Sequence, residues 1–141
     1  LNEKGKVYGF TSIDMSGMLE DESQGRTKVQ AIVKEKTDHE LSAEEAEQVR
    51  DLAVTVVVRS ARLVTASFVG IIWQLSGEGK VQKQHIAVDG SVYEKMPFVK
   101  ENIMRALSEL LGEEAAQVDT VLDNGGSGLG AALAAAMSVE N

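Results

Sequence analysis

The 141-residue sequence predicts an α/β fold in which helices pack on a small sheet of two parallel strands. Two observations carry this. Between Gln84 and Gly130 the chain uses one device twice, an apolar strand that runs out into glycine and then into a helix. The first copy is His85-Ile-Ala-Val-Asp89-Gly90-Ser91 ahead of the amphipathic run Phe98 to Leu111. The second is Val118 to Leu122, then Asn124-Gly-Gly-Ser-Gly-Leu-Gly130, then an alanine-rich run to Met137. Strands joined through a helix run parallel with a right-handed crossover. The other observation is a long apolar helical run, Leu41 to Leu75, which reads as a core helix.

Taken in order, Leu1 to Phe10 is broken by Gly5 and Gly9 and is expected to hold little independent structure. Thr11 to Glu22 reads as a polar turn leading into a short helix, with Met15, Met18 and Leu19 on its apolar side. The hydroxyls of Thr11, Ser12 and Ser16 suit a helix start. Thr27 to Lys34 sets Val29, Ile32 and Val33 at helical spacing, and Glu35 to Glu40 is a polar loop. Ser42 with Glu45 three residues later forms a capping box, with Leu41 and Ala46 as its hydrophobic staple. That helix is expected to run to about Leu75, where Ser76-Gly77-Glu78-Gly79 ends it. Its first part is amphipathic through Val49, Leu52, Ala53 and Val56; beyond that it is apolar nearly all round, the pattern of a buried helix.

Gly77 to Lys83 reads as a hairpin-like charged loop and Gln84 to Val88 as the first strand. Pro97 suits the first turn of the next helix, whose Phe98, Val99, Ile103, Ala106, Leu107, Leu110 and Leu111 line one face until Gly112 ends it. Val118 to Leu122 is the second strand. The closing helix, Leu129 to Ser138, has small side chains that allow close approach to a neighbour.

Composition narrows the function. A formal net charge of −8 argues against a nucleic-acid partner, which needs a basic patch to displace counterions. The absence of cysteine excludes disulfides, thiolate metal sites and cysteine nucleophiles, and is compatible with a reducing compartment; a cytoplasmic location is the expectation. Leu1-Asn-Glu-Lys-Gly has neither the basic start nor the apolar core of a signal peptide, and no initiating Met, as in a processed or truncated chain. Leu52 to Leu75 is long enough to span a bilayer, but Arg59 and Arg62 lie inside it on one face, each at a cost of roughly 3 kcal/mol at the bilayer centre. A core helix is therefore expected rather than a membrane span. His85 on its strand and His39 in a polar loop carry no metal-ligand spacing.

Glycine at a strand-to-helix turn lets the backbone approach a ligand, and the unpaired N–H groups of a helix start favour phosphate, so this end of the chain reads as nucleotide-facing. Asp89 is expected to fix its turn by accepting backbone N–H bonds, and ordinary turn chemistry explains Asp89, Gly90 and Ser91 equally. Gly126-Ser-Gly-Leu-Gly130 is not the G-x-G-x-x-G of a dinucleotide fold, and no lysine follows to make a P-loop.

Asp89-Gly-Ser-Val-Tyr93, Pro97 shortly after, and Gly126-Ser-Gly-Leu-Gly-Ala-Ala-Leu133, in this order and at this spacing, resemble the end of a eukaryotic-type hexokinase or glucokinase. Phe10-Thr-Ser-Ile-Asp-Met-Ser16 with Glu20-Asp21 is similar to another segment of that family, and Arg59-Ser-Ala61 to its Arg-Ala-Ala helix segment. The resemblance implies part of a ribonuclease H-like domain of the actin-like ATPase superfamily: the C-terminal part of the large domain. Residues 1–40 would be a polar turn and short helices, 41–76 a long core helix, and 84–138 a strand-helix-strand-helix unit on the nucleotide side.

The parent activity so implied is transfer of the γ-phosphate of Mg-ATP to the primary hydroxyl of a hexose, with ATP and hexose as partners. Thr11, Ser12 and Ser16 would then be polar contacts beside the nucleotide. Gly90 and Ser91 would lie near the α-phosphate or ribose with Asp89 fixing their turn, Val92 and Tyr93 would adjoin, and Gly126 and Ser127 would pack beside the nucleotide. Arg59 would pair with a carboxylate or carbonyl at the core edge. Glu94, Met96 and Gly125 depart from the family, which commonly has Lys, His and an acidic residue there. The family's catalytic base, sugar-binding residues and phosphate loops lie earlier in its chain, so no catalytic or metal residue is assigned here and the isolated chain is expected to be inactive. The alternatives are a non-catalytic, kinase-like interaction module and, disfavoured by the glycine spacing, a dinucleotide-binding domain. An open sheet edge would invite pairing with a second copy.

Overall fold

Helix α1 (Ser12–Leu19) starts where Thr11 and Asp14 form a capping box. Helix α2 (Thr27–Thr37) follows a turn organised by Asp21, and α3 (Ala43–Ser76) opens on the expected box, Ser42 with Glu45. Then come β1 (Gln84–Val88), α4 (Ser91–Lys95), α5 (Val99–Leu111), a 3-10 turn over Gly112–Gln117, β2 (Val118–Leu122) and α6 (Gly126–Ser138). This computed structural model describes residues 9–123 and 125–138, so the readings made for Leu1–Tyr8, Asn124 and the last three residues lie outside the described residues.

Strands β1 and β2 pair in parallel, with Gln84 opposite Val118 and Val88 opposite Leu122. Each keeps one unpaired edge among the described residues. The inward face carries Ile86, Val88, Val118 and Leu122 against the core, while His85, Ala87, Asp119 and Val121 are exposed. The core itself lies between α5 and α3 and continues to α1 and α2 through Leu19, Val29, Val57, Val69, Ile103 and Leu107, all at most 2% exposed.

Helix α3 corrects the expectation of burial all round. Ala46, Ala53, Val57, Ala61, Thr65, Val69 and Ile72 form one buried stripe, spaced at three, four or seven residues as helical geometry requires. The opposite side leaves Leu63 56%, Ile71 60% and Trp73 55% exposed. By length and composition α3 is apolar enough to cross a membrane, yet its stripe is occupied by the rest of the fold. Arg59 is corrected too: among the described residues it has no ionic partner, and Arg62 instead meets Glu109 of α5 at 2.7 Å. The charged loop after α3 is not a hairpin. It tucks Val81 into the core, where the Val81 N–H donates to Glu114 at 3.2 Å.

The α1–α2 corner is held by Asp21, which is buried. Its Oδ1 accepts the Ser23 amide at 2.9 Å and hydroxyl at 2.6 Å, and its Oδ2 accepts the Val29 amide at 2.9 Å. Burial pushes its pKa up, but the Ser23 hydroxyl and the amides of Val29, Ser23 and Lys28 outweigh that and hold it at about 2. Arg26, left-handed at φ 56°, closes the same corner by gripping Glu47 of α3 with two nitrogens, at 2.5 and 3.1 Å.

Candidate functional site

A groove of about 490 Å³ runs between α1 and α2 on one side and α4 on the other. From α1 and the residue after it come Ser12, Ser16, Gly17 and Glu20; α2 supplies Lys28 and Ile32; the α4 segment supplies Ser91, Val92, Lys95 and Met96. Ser12 and Ser16 thus share one concavity with Ser91 and Val92, although about eighty residues separate the two pairs in the chain. Gly17 keeps the groove open: a Cβ there would lie 3.1 Å from Ile32 Cδ1 and 3.3 Å from Lys28 Cε.

Local chemistry places each predicted residue. Thr11 is engaged as a helix cap, its hydroxyl donating to Asp14 Oδ2 at 2.7 Å and its amide to the same oxygen at 2.8 Å. Burial raises the Asp14 pKa, but the Thr11 hydroxyl and amide and Lys36, 3.3 Å away, leave it net lowered. The Ser16 hydroxyl donates to Glu20 Oε1 at 3.2 Å, and Glu20 Oε2 faces Lys28 Nζ at 3.2 Å. Gly90 enters α4 at φ 126°, a backbone that favours glycine. Tyr93 turns into the core instead of the groove, and its hydroxyl donates to Thr120 of β2 at 2.6 Å. Tyr93 therefore anchors α4 to the sheet.

Asp89 does more than fix its own turn. Its Oδ2 accepts the Ser127 hydroxyl at 2.5 Å and the Ser127 amide at 3.4 Å, so the first glycine turn is tied to the first turn of α6. The Ser127 hydroxyl, then its amide, hold the Asp89 pKa below the ordinary carboxylate value. Gly126 begins α6 three residues earlier than the sequence suggested, where a Cβ would collide with Asp123 Oδ2. Gly126 and Ser127 do not line the groove; Ser127 is bonded to Asp89, two residues before the groove-lining Ser91.

Glu94, a departure from the family that would repel phosphate if it pointed inward, is not among the groove-lining residues and lies 3.9 Å from Lys95. Sequence reasoning missed Lys28, Lys95 and Gly17. Only Gly17 left a signal, since glycine inside a helix costs roughly 1 kcal/mol against alanine and so implies close packing. Among the described residues no group of three or more acids and histidines could hold a metal ion.

Two parallel strands, each running through a glycine turn into a helix, beside a long helix that packs on α5, form a segment of the actin-like ATPase fold. A solved structure described as "Crystal structure of Hexokinase" superposes with a TM-score of 0.66 at 25% identity, covering 85% of this chain and 28% of the solved one. The chain belongs to the hexokinase family, whose family model matches residues 3–137. Hexokinase-1 of Oryza sativa subsp. japonica is 38% identical over 87% of this chain and 26% of its own length. Hexokinase-7 of the same organism is 43% identical over 67% of this chain and 21% of its own. The chain thus spans about a quarter of the length of these relatives.

Proposed function

We propose that the chain is the C-terminal, nucleotide-side segment of the large domain of an ATP-dependent hexokinase, and that the groove between α1, α2 and α4 receives the nucleotide. The observation that supports this best is the meeting of Ser12 and Ser16 with Ser91 and Val92 in one concavity, because family resemblance associates both stretches with the nucleotide independently. The groove falls within the roughly 300–1,000 Å³ of small-molecule sites. Ile13, Ile32, Val92 and Met96 offer apolar surface to a base, the serine hydroxyls offer partners to ribose or phosphate, and Lys28 and Lys95 bring positive charge.

In the parent enzyme a hexose hydroxyl oxygen attacks the γ-phosphorus, the bond to the β–γ bridging oxygen breaks, and the hydroxyl proton passes to a carboxylate. No residue of this chain is assigned to receive that proton, to bind sugar or to hold Mg²⁺, which would accompany the phosphates of ATP. The chain's part is to hold the nucleotide, and alone it does not phosphorylate glucose. With Glu94 outside the groove, only Met96 still favours a non-catalytic interaction module.

Calorimetric titration of the 141-residue chain with Mg-ATP, beside a glucose-phosphorylation assay, tests the reading. Saturable binding without turnover is expected. A folded chain that binds no ATP would sink the nucleotide site, and turnover by the isolated chain would sink the division of labour.

A further inference from the structure

Glu20 stands in the groove as an anion among the groups a phosphate would seek. Its Oε1 accepts the Ser16 hydroxyl at 3.2 Å, and its Oε2 takes the Lys28 ammonium at the same distance. All three residues line the groove. Asp14, the other acid there, already has its charge engaged by Thr11 and Lys36. Glu20 therefore blocks no fixed network; it occupies one hydroxyl and one cation that otherwise point at the same space.

We propose that Glu20 is a resident stand-in for a phosphate group, holding Ser16 and Lys28 in the ligand-free chain and surrendering both to the phosphates of a nucleoside polyphosphate. This rests on the nucleotide reading of the groove. Both side chains of the Glu20–Lys28 pair are 51% exposed, so water screens the pair and breaking it costs little. A polyphosphate carries several charges and many acceptor oxygens, and it replaces one carboxylate on the same hydroxyl and ammonium. Only a ligand with phosphate takes part in the exchange: Glu20 competes with ATP for the hydroxyl and ammonium, while a nucleoside engages neither and is indifferent to Glu20. Lys28 is in this sense the specificity residue for ATP over adenosine, and Glu20 the resident competitor that tempers that preference.

The test measures affinity of the 141-residue chain for ATP and for adenosine in the parent sequence and in Glu20→Gln, Lys28→Met and the double variant, with Glu22→Gln as an exposed acid outside the groove. Glu20→Gln is expected to tighten ATP roughly two- to fivefold and leave adenosine unchanged. Lys28→Met is expected to weaken ATP by a similar factor, and the double variant to lose most of the Glu20→Gln gain because the freed ammonium is gone. Equal gains from Glu22→Gln, or a full gain in the double variant, would reduce the effect to general charge and overturn the proposal while ATP binding stands. No ATP binding by the parent chain would overturn the nucleotide reading and this inference together.

Discussion

Asp89 Oδ2 accepts both the hydroxyl and the amide of Ser127, 38 residues away, joining the turn that ends β1 to the first turn of α6. One carboxylate oxygen thereby fixes the relation of two glycine turns that the sequence shows as separate copies of a device. Hydrogen bonds to the ionised form lower a carboxyl pKa, and a lowered folded pKa means that the stabilisation is present above the ordinary carboxylate pKa and is lost as pH falls through the folded value. Asp89→Asn or Ser127→Ala is therefore expected to speed amide exchange in the first turn of α6 at neutral pH while the global melt stays put. The parent chain should show the same loosening on acidification. Unchanged exchange at Ser127 in both variants would mean that the tie does not hold the turns.

Asp21 presents the buried counterpart. Its pKa is held at about 2 against an ordinary value near 3.8, so its contribution is full above about pH 5 and is lost as pH falls toward 2, amounting to about 2 kcal/mol. Asp21→Ala leaves the Val29 amide without its acceptor in the buried α1–α2 corner, at a cost of about 2 to 3 kcal/mol. Urea unfolding at several pH values checks both: the variant is less stable at pH 7, and its stability falls less between pH 5 and pH 3 than the parent's.

The α5 face packed on α3 and the opposite, exposed side of α3 should respond unequally to substitution. Leu107 of α5, 1% exposed in the core beneath α3, should cost about 2–5 kcal/mol on change to alanine. Leu63→Lys, on the side left 56% exposed, should shift stability by no more than about 0.5 kcal/mol and raise solubility by breaking an apolar patch. A large loss from Leu63→Lys in denaturant unfolding would show that this side of α3 is covered in solution.

What the sequence disclosed followed from short-range physics. Strands Gln84–Val88 and Val118–Leu122 were legible because apolar alternation stops abruptly at polar residues and glycine, and Ser42 with Glu45 marked the start of α3 because a capping box is a local contract between four residues. Five-residue α4 is too short to display a period, and the 3-10 turn after Gly112 has none. The exposed side of α3 was misread because hydropathy reports an affinity for apolar neighbours and not whether this chain supplies them. Arg59 and Arg62 lie on one face three residues apart, and only the position of Glu109 on α5 decides between them. In the groove, family resemblance indicated Ser12, Ser16, Ser91 and Val92, and Gly17 showed as a glycine inside a helix, while Lys28 and Lys95 became visible only when α1, α2 and α4 were brought together.

Gly17 gives the sharpest separation of binding from folding. It lies inside α1, where glycine is a poor helix former, so replacing it should leave the helix as stable or more so. Its missing Cβ faces the ends of Ile32 and Lys28, flexible tips that can shift aside without disturbing backbone, yet a branched side chain there projects into the groove. Gly17→Leu is therefore expected to hold or raise the melting temperature while weakening ATP binding about tenfold or more, equivalent to ~1.4 kcal/mol. A variant that melts as the parent does and binds ATP equally well would move the nucleotide out of this groove, whatever the family of the chain; one that loses binding and stability together would show instead that α1 and α2 pack more tightly at Gly17 than the open groove implies.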